Sequence, residues 1–220
     1  MKIGIIGAGH IGGALTRRLT ALGHTVLVAN SRGPETLRDL AAETGATAVT
    51  PRQAVTGVDA IVVTIPEKNI PDLPHDLFTN VPRAVPVIDT RNYYPQQRDG
   101  RIAAIEAGLP ESRWVEKAIG HPVIKTFNTI YALHLLQNGR SQGVPGRIAL
   151  PVAGDDPAAK AIVLDLVNDL GFDAVDAGGL DESWRQQPGT PIYAADLDAA
   201  GVRQALSEAQ PERTAQWKAR

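Results

Sequence analysis

Short runs of β-branched residues alternate along the chain with stretches in which apolar residues have helical spacing. Residues 60–65 (AIVVTI) are almost wholly apolar without alternation, which is typical of a strand covered by helices on both faces. Strands that alternate with helices form βαβ units, so the pattern predicts an α/β fold with a doubly wound, mostly parallel sheet. Seven runs predict the strands: Lys2 to Gly7, Thr25 to Ala29, Asp59 to Ile65, Val85 to Asp89, Val123 to Phe127, Ile148 to Ala153 and Asp173 to Asp176.

Helical spacing of apolar residues predicts four main helices. The first, Ile11 to Leu22, ends before Gly23, a residue type that commonly follows a helix. Pro34 suits the first turn of the second helix, and Asp155 or Asp156 would cap the third. The bounds of the other three are 34–43, 158–170 and 197–209. The apolar face of the last could pack on its own domain or on a partner.

One domain is expected for the whole chain. The sequence holds no internal repeat or low-complexity linker, and residues 181–220 are too few for an independent core. Residues 1–180 are therefore predicted to form the main domain, with 181–220 as a short helical C-terminal appendage packed on it.

Composition narrows the classes of partner and chemistry. The formal net charge is −2 with Lys and Arg scattered, so neither nucleic acid nor an anionic membrane is expected as a partner. The chain has no cysteine, and its five histidines lack metal-binding spacing, so no metal site is expected. Without a signal peptide or an apolar run of about 20 residues, we expect a soluble, cytoplasmic protein.

A glycine-rich turn follows the first predicted strand and opens the first predicted helix. Its residues, Gly7, Ala8, Gly9, His10, Ile11 and Gly12, match the pattern G-x-G-x-x-G. In this context Gly7 permits the turn, Gly9 lets a pyrophosphate approach the backbone, and Gly12 lets helix and strand pack closely. The sequence therefore predicts a Rossmann fold that binds a dinucleotide at these residues. Two interpretations of His10 stay open, a solvated loop residue and a phosphate contact.

The end of the second predicted strand indicates which dinucleotide is bound. NAD-specific proteins carry an acid here for the ribose 2′-hydroxyl, whereas this chain has Asn30, Ser31 and Arg32. A guanidinium and a hydroxyl suit a 2′-phosphate, because both donate hydrogen bonds to its oxygens. We therefore predict NADP(H) as the cofactor.

Residues after the other strands are candidates for lining the same cleft, because ligands bind beyond the carboxyl ends of parallel strands. Asn128 and Thr129 could hydrogen-bond a nicotinamide carboxamide or a substrate carbonyl. Asn92 and Asp155 are as readily turn or capping residues, and Lys125 and Asp89 are expected to serve structure. The remaining candidates for the cofactor site are Thr64, Ile65 and Pro66.

These segments together resemble the NADPH-dependent oxidoreductases typified by NADP oxidoreductases of the deazaflavin coenzyme F420. The matching segments are 3–12, 30–32, 123–130, 152–156 and 170–178, of which the run Phe127-Asn128-Thr129 is the more specific. The cytosolic domains of six-transmembrane metalloreductases share a similar Lys-x-Phe-Asn-Thr run. The resemblance implies hydride transfer between NADP(H) and a deazaflavin or flavin ring, with no catalytic acid or base in the protein.

The identity of the hydride acceptor stays open. Residues 69–80 and 130–143 have no clear counterpart in deazaflavin enzymes, and Gln187 stands where the family segment would carry an acid. The alternatives are a non-catalytic NADPH-binding sensor and a reductase of a small imine or carbonyl compound. Imine reductases of this kind carry a helical dimerisation domain for which this chain is too short. A homodimer is expected from the resemblance alone.

Overall fold

Six parallel strands form the central sheet of the computed structural model, which describes residues 1–220. The strand order is β3-β2-β1-β4-β5-β6. The direction in which successive strands are added to the sheet therefore reverses between β1 and β4. The predicted doubly wound Rossmann fold is thereby confirmed. The strands are β1 (Lys2–Ile6), β2 (Thr25–Ala29), β3 (Thr47–Ala48), β4 (Ala60–Val63), β5 (Val87–Asp89) and β6 (Val123–Lys125).

Two further strands, β7 (Ala149–Val152) and β8 (Asp173–Asp176), form a separate parallel pair. They join the main sheet through one antiparallel bridge between Lys125 and Ala153, whose backbone groups exchange hydrogen bonds of 2.8 and 3.0 Å. Each of the seven predicted strands is present, although several end earlier than expected. The two-residue strand β3 was missed because it has no hydrophobic run.

Helices cover both faces of the sheet. They are α1 (His10–Ala21), α2 (Arg38–Thr44), α3 (Pro51–Ala54), α4 (Ala103–Glu106), α5 (Glu111–Ile119), α6 (Ala132–Gln137), α7 (Pro157–Asp169) and α8 (Ala199–Glu208). The second predicted helix is divided, since a 3₁₀ turn over Pro34–Leu37 precedes α2. None of the helices combines the length and apolar composition that crossing a bilayer requires.

Of the two aspartates proposed to cap α7, the structure shows one in that role. Asp156 accepts hydrogen bonds from the backbone nitrogens of Ala158 and Ala159, at 2.8 and 3.0 Å. Asp155 instead accepts from the backbone of Leu180 at 2.8 Å and pairs with Arg113 at 2.7 Å. Asp156 is therefore the cap, and Asp155 ties the start of α7 to an earlier residue, Arg113, and a later one, Leu180.

The hydrophobic core has two main layers, one on each face of the sheet. A smaller third cluster lies under α8, where Val202, Ala205 and Leu206 pack against Ala149 of β7 and Val175 of β8. The helix after residue 181 is thus buried against the strand pair. Tyr193, which precedes α8, contacts Tyr94, which follows β5.

Candidate active site

The glycine turn connects β1 to α1 at the point where the order of strand addition reverses. Gly7 has a φ of +109°, and a Cβ there would lie 2.9 Å from the Thr64 carbonyl. A Cβ on Gly12 would lie 2.0 Å from the Gly7 carbonyl oxygen, which no backbone can accommodate without moving. A Cβ on Gly9, by contrast, would meet no atom within 4 Å. The first and last glycines are thus required by the fold, whereas the middle one leaves open space.

The amino end of α1 faces that open space. Gly9 occupies the capping position, and no side chain caps the helix there. The first backbone N–H groups of a helix lack partners within the helix and carry a partial positive charge. This end of α1 is therefore suited to an anion such as a pyrophosphate.

One cleft, of about 650 Å³, lies between α1 and α2, and we call it the α1–α2 cleft. Arg17 and Arg32 both line it. Arg17 is held by two hydrogen bonds of 2.6 Å to Glu43, whereas the exposed Arg32 guanidinium makes no hydrogen bond or ion pair within the chain. Arg32 is therefore free to bind an anion. The cleft also includes Ala8, Gly9 and His10.

The turn that carries Arg32 is shaped by Asn30. The Asn30 Oδ1 atom accepts from the Arg32 backbone nitrogen at 2.9 Å, and its Nδ2 donates to the Thr36 hydroxyl at 2.8 Å. Both ends of the amide are thus used within the turn. The Asn30 side chain therefore positions Ser31 and Arg32, and its direct contact with a cofactor stays a prediction. Ser31 and Arg32 are exposed.

A second cleft, of about 360 Å³, lies on the other side of the glycine turn, and we call it the tyrosine cleft. His10 and Ala132 line both clefts, so a long ligand that occupied both would cross the amino end of α1. The tyrosine cleft is lined by residues from four parts of the chain: His10 and Ile11; Thr90, Asn92 and Tyr94; residues 127–132; and Tyr193 and Ala194.

Backbone strain is concentrated in the tyrosine cleft. Phe127 and Ala194 have φ values of 62° and 57°, and they are the only non-glycine residues with positive φ. Each such residue costs on the order of 1–3 kcal/mol, and strain of this kind clusters at ligand-binding and active sites. Both residues line this cleft, which marks it as the candidate reaction site.

Two hydroxyls meet in this cleft, those of Tyr94 and Tyr193, with their oxygens 2.6 Å apart. The Trp217 ring packs behind both, at centroid distances of 6.0 Å from Tyr94 and 5.6 Å from Tyr193. Burial raises the pKa of Tyr193 well above its usual range, so the phenol stays protonated. Sequence reasoning missed this pair because no local motif links residues so far apart in the chain.

The amides of Asn92 and Asn128 are committed to each other and to Gln186. Asn128 Nδ2 donates to Asn92 Oδ1 at 3.0 Å and to the Gln186 carbonyl, while its Oδ1 accepts from Gln186 Nε2 at 3.0 Å. Asn92 Nδ2 donates to the Asn128 carbonyl at 2.8 Å. The Asn128 side chain therefore fixes the cleft wall with both of its amide hydrogens, and its contact with a cofactor stays a prediction. The Thr129 hydroxyl, by contrast, has no partner within the chain.

The three residues after β4 line neither cleft. Thr64 packs directly against the turn, since a Cβ on Gly12 would lie 3.1 Å from its Cγ2 atom. Ile65 and Pro66 are half-buried beside it. Their contact with a cofactor therefore stays a prediction, and the contribution seen in the structure is support of the glycine turn.

A set of buried charges lies directly behind the tyrosine cleft. Asp89, at the end of β5, accepts from Arg91 Nε at 2.8 Å and from Ser112 at 2.6 Å, with Lys125 Nζ at 3.5 Å. Burial opposes ionisation of Asp89, but the Arg91 and Lys125 charges and the hydrogen bonds outweigh it and hold its pKa well below its usual range. These contacts agree with the structural role expected for Asp89 and Lys125.

Two further carboxyls are fully buried in this set. Burial raises the pKa of Glu67 to about 8, since neither of its oxygens has a hydrogen-bond partner and Arg91 Nε lies 3.6 Å away. Burial also raises the pKa of Glu111, whose carboxylate contacts Lys125 and Arg213. Arg213 comes from the C-terminal segment, which therefore helps to balance the charges behind the cleft. No group of three or more acidic or histidine side chains could hold a metal ion.

Comparison with known proteins identifies a family whose model this chain matches. Residues 2–93 match the model of a family described as NADP oxidoreductase, coenzyme F420-dependent. A 69-residue segment is 51% identical to the protein YjhV of Escherichia coli K12 and covers 31% of this chain and 50% of YjhV. The match thus spans half the length of that relative.

Solved structures resemble the chain over most of its length. A hypothetical protein, SMa0349 of Sinorhizobium meliloti, is 30% identical with a TM-score of 0.76, covering 90% of this chain and 95% of that one. A protein from Arthrobacter sp. FB24, described as an F420-dependent NADP-reductase, is 22% identical with a TM-score of 0.67, over 82% and 86% of the two chains. The imine reductase of Myxococcus stipitatus, solved with NADP⁺, is 21% identical with a TM-score of 0.59, over 94% and 62%. The last two likenesses show the fold alone.

Proposed function

The chain belongs to the family of coenzyme F420-dependent NADP oxidoreductases, and from this premise we propose that it transfers a hydride between NADP(H) and a deazaflavin or flavin ring. The observation that carries the proposal is the pair of clefts on either side of the glycine turn. One presents an unpaired arginine, and the other is strained and lined largely by apolar and aromatic side chains.

The glycine turn and the α1–α2 cleft fit a dinucleotide phosphate. The open space at Gly9 and the uncapped amino end of α1 would receive the pyrophosphate. Arg32 and Ser31 would bind a 2′-phosphate, since Arg32 has no competing partner and no acid ends β2 to hold a ribose hydroxyl. We therefore propose NADPH as the preferred cofactor over NADH.

The tyrosine cleft would hold the nicotinamide and the acceptor ring. When bound, NADPH supplies a hydride from its nicotinamide ring. The apolar lining of Ile11, Phe127 and Ile130 would exclude water from the reacting faces, and the Thr129 hydroxyl is free to orient a carboxamide. Because the amides of Asn92 and Asn128 are mutually bonded, this wall is already formed without a ligand.

Steady-state oxidation of NADPH tests the proposal. We expect turnover with at least one member of a panel made of FMN, riboflavin and a 5-deazaflavin, and slower turnover when NADH replaces NADPH. A small cyclic imine belongs in the panel, because turnover with the imine alone would identify a different substrate class. Tight binding of NADPH without turnover of any acceptor would instead identify a sensor and contradict the proposal.

A further inference from the structure

The polar groups of the tyrosine cleft differ in whether they can reach a ligand. Both amide hydrogens of Asn128 are used within the wall, Asn92 Nδ2 donates to the Asn128 carbonyl, and the Thr90 hydroxyl is directed to the Val63 carbonyl at 3.5 Å. The remaining hydroxyls are those of Thr129, of the exposed Tyr131, and of Tyr94 and Tyr193. Of these hydroxyls, only those of Tyr94 and Tyr193 lie within hydrogen-bond distance of each other.

One of the two hydroxyl protons of Tyr94 and Tyr193 is not used in a hydrogen bond within the chain. Their oxygens lie 2.6 Å apart, so one O–H group donates to the other oxygen, and neither hydroxyl has another partner in the chain. Two hydroxyls carry two protons, of which their mutual hydrogen bond uses one. The second proton is free for an acceptor atom in the cleft, and its O–H group is strengthened as a donor when its own oxygen receives the first.

We infer that the Tyr94–Tyr193 pair donates this hydrogen bond to the heteroatom of the acceptor on which negative charge develops during hydride transfer. The inference rests on the proposed function and extends it to the class of acceptor. That class is a planar ring with a carbonyl oxygen or ring nitrogen conjugated to the atom that takes the hydride. The pair lies in the strained part of the cleft, since Ala194 directly follows Tyr193.

The reaction balances without a proton leaving either tyrosine. Two electrons and one hydrogen pass to the acceptor, the nicotinamide is oxidised, and the displaced π-electron pair of the acceptor rests on its heteroatom. The free O–H stabilises that charge, and a solvent proton then completes the reduced acceptor. Fixed donors aimed at developing charge are among the strongest catalytic contributions in a water-poor site. Tyr193 suits this role because burial keeps its phenol protonated.

The test compares Tyr193→Phe and Tyr94→Phe with the wild-type protein, using FMN and a 5-deazaflavin as probes. We expect kcat to fall by about tenfold or more in Tyr193→Phe, in line with loss of one donor to a charged group. The dissociation constant for NADPH should change less than about twofold, because its phosphates are proposed to bind in the α1–α2 cleft, which the hydroxyl pair does not line. Tyr94→Phe should show a loss in the same direction, since it removes the hydrogen bond that polarises the pair.

A spectroscopic readout separates hydrogen bonding from a merely structural role. Binding of the oxidised probe to the wild-type protein should shift its visible absorption band, because a donor to its carbonyl stabilises the excited and ground states unequally. The shift should shrink in Tyr193→Phe, with thermal unfolding unchanged. Equal kcat and equal shifts in variant and wild type would overturn this inference and leave the proposed function intact. NADPH binding without turnover of any probe by the wild type would overturn both.

Discussion

In the proposed function, the choice of cofactor depends on Arg32. It stands at the end of β2 on a turn held by Asn30, and its guanidinium has no partner in the chain. A hydrogen bond to a charged group contributes about 1.5–3 kcal/mol, which corresponds to about 10- to 150-fold in affinity. We expect Arg32→Ala to lower NADPH affinity by that factor and to leave NADH affinity nearly unchanged, as measured by fluorescence titration.

A matched control for this prediction is Arg38→Ala. Arg38 is also exposed and begins α2, but it lines neither cleft. The two cofactor affinities should therefore stay at their wild-type values in that variant. Equal loss of NADPH affinity in both variants would indicate general charge attraction instead of a specific phosphate contact.

Glu67 gives the protein a predicted pH dependence. Because burial raises its pKa to about 8, the folded protein holds this proton to a higher pH than the unfolded chain does. The contribution of this bound proton to the free energy of unfolding is fully present below the pKa of Glu67 in the unfolded chain, about 4.3. It is lost as pH rises through about 8, at up to about 1.4 kcal/mol per pH unit. Glu67→Gln should therefore flatten the fall in unfolding free energy between pH 6 and pH 8, as measured by urea denaturation.

The exposed Glu212 supplies the control for the pH series. Glu212→Gln removes the same charge from the surface and should keep the wild-type slope. If Glu67→Gln keeps that slope as well, Glu67 is ionised in the folded protein throughout the range and its buried site is better compensated by Arg91 than we infer.

At the scale of elements, we expect the glycine turn to contain one residue needed for folding, Gly12, and one that affects only cofactor binding, Gly9. A methyl group at Gly12 would collide with the Gly7 carbonyl, whereas at Gly9 it would project into open space with an ordinary φ of −74°. We expect Gly12→Ala to lower both the thermal midpoint and NADPH binding. Gly9→Ala should keep the wild-type midpoint yet bind NADPH at least about tenfold more weakly, because the methyl group displaces the pyrophosphate. Calorimetry and titration of both variants measure the difference, and unaltered binding by Gly9→Ala would contradict the placement of the phosphate.

The same turn shows why part of the site could be predicted from the sequence. Gly7, Gly9 and Gly12 are adjacent in the chain and follow a clear strand, so a local pattern carries their role. The hydroxyl pair has no such pattern. Tyr94 and Tyr193 lie on loops, and only the packing of α8 and Trp217 brings them together. Asn128 was predicted to line the cleft, but its hydrogen-bond partners depend on Gln186, which sequence spacing does not reveal.

For the whole molecule, the C-terminal segment completes a site that begins at the N-terminus. It supplies Tyr193 to the tyrosine cleft, and it supplies Arg213 to the buried Glu111 carboxylate. The doubly wound parallel sheet could be predicted from alternating strands and helices, whereas the separate β7–β8 pair and these long-range contacts arise from tertiary packing. The segment 181–220 is accordingly proposed to be an integral wall of the site.

Removal of Arg213 tests this integration. Arg213→Ala would leave Glu111 buried with one cation fewer, and breaking a buried ion pair from one side costs about 3–5 kcal/mol. We expect a loss of that order in the free energy of unfolding, partly recovered in Arg213→Ala combined with Glu111→Gln. Arg203→Ala, on the exposed face of α8, should cost less than about 0.5 kcal/mol. Equal stability of the Arg213 and Arg203 variants would show that the segment is only loosely attached.

Hydride transfer itself is tested most directly by following deuterium. The wild-type protein is incubated with a 5-deazaflavin and NADPH deuterated at both positions of nicotinamide C4, and the reduced deazaflavin is examined by mass spectrometry and NMR. We expect one deuterium at the ring carbon that accepts the hydride, in water of natural isotopic composition. Binding of NADPH with no reduction of the acceptor, or a reduced acceptor that carries only hydrogen from solvent, would contradict direct transfer between rings held in the tyrosine cleft.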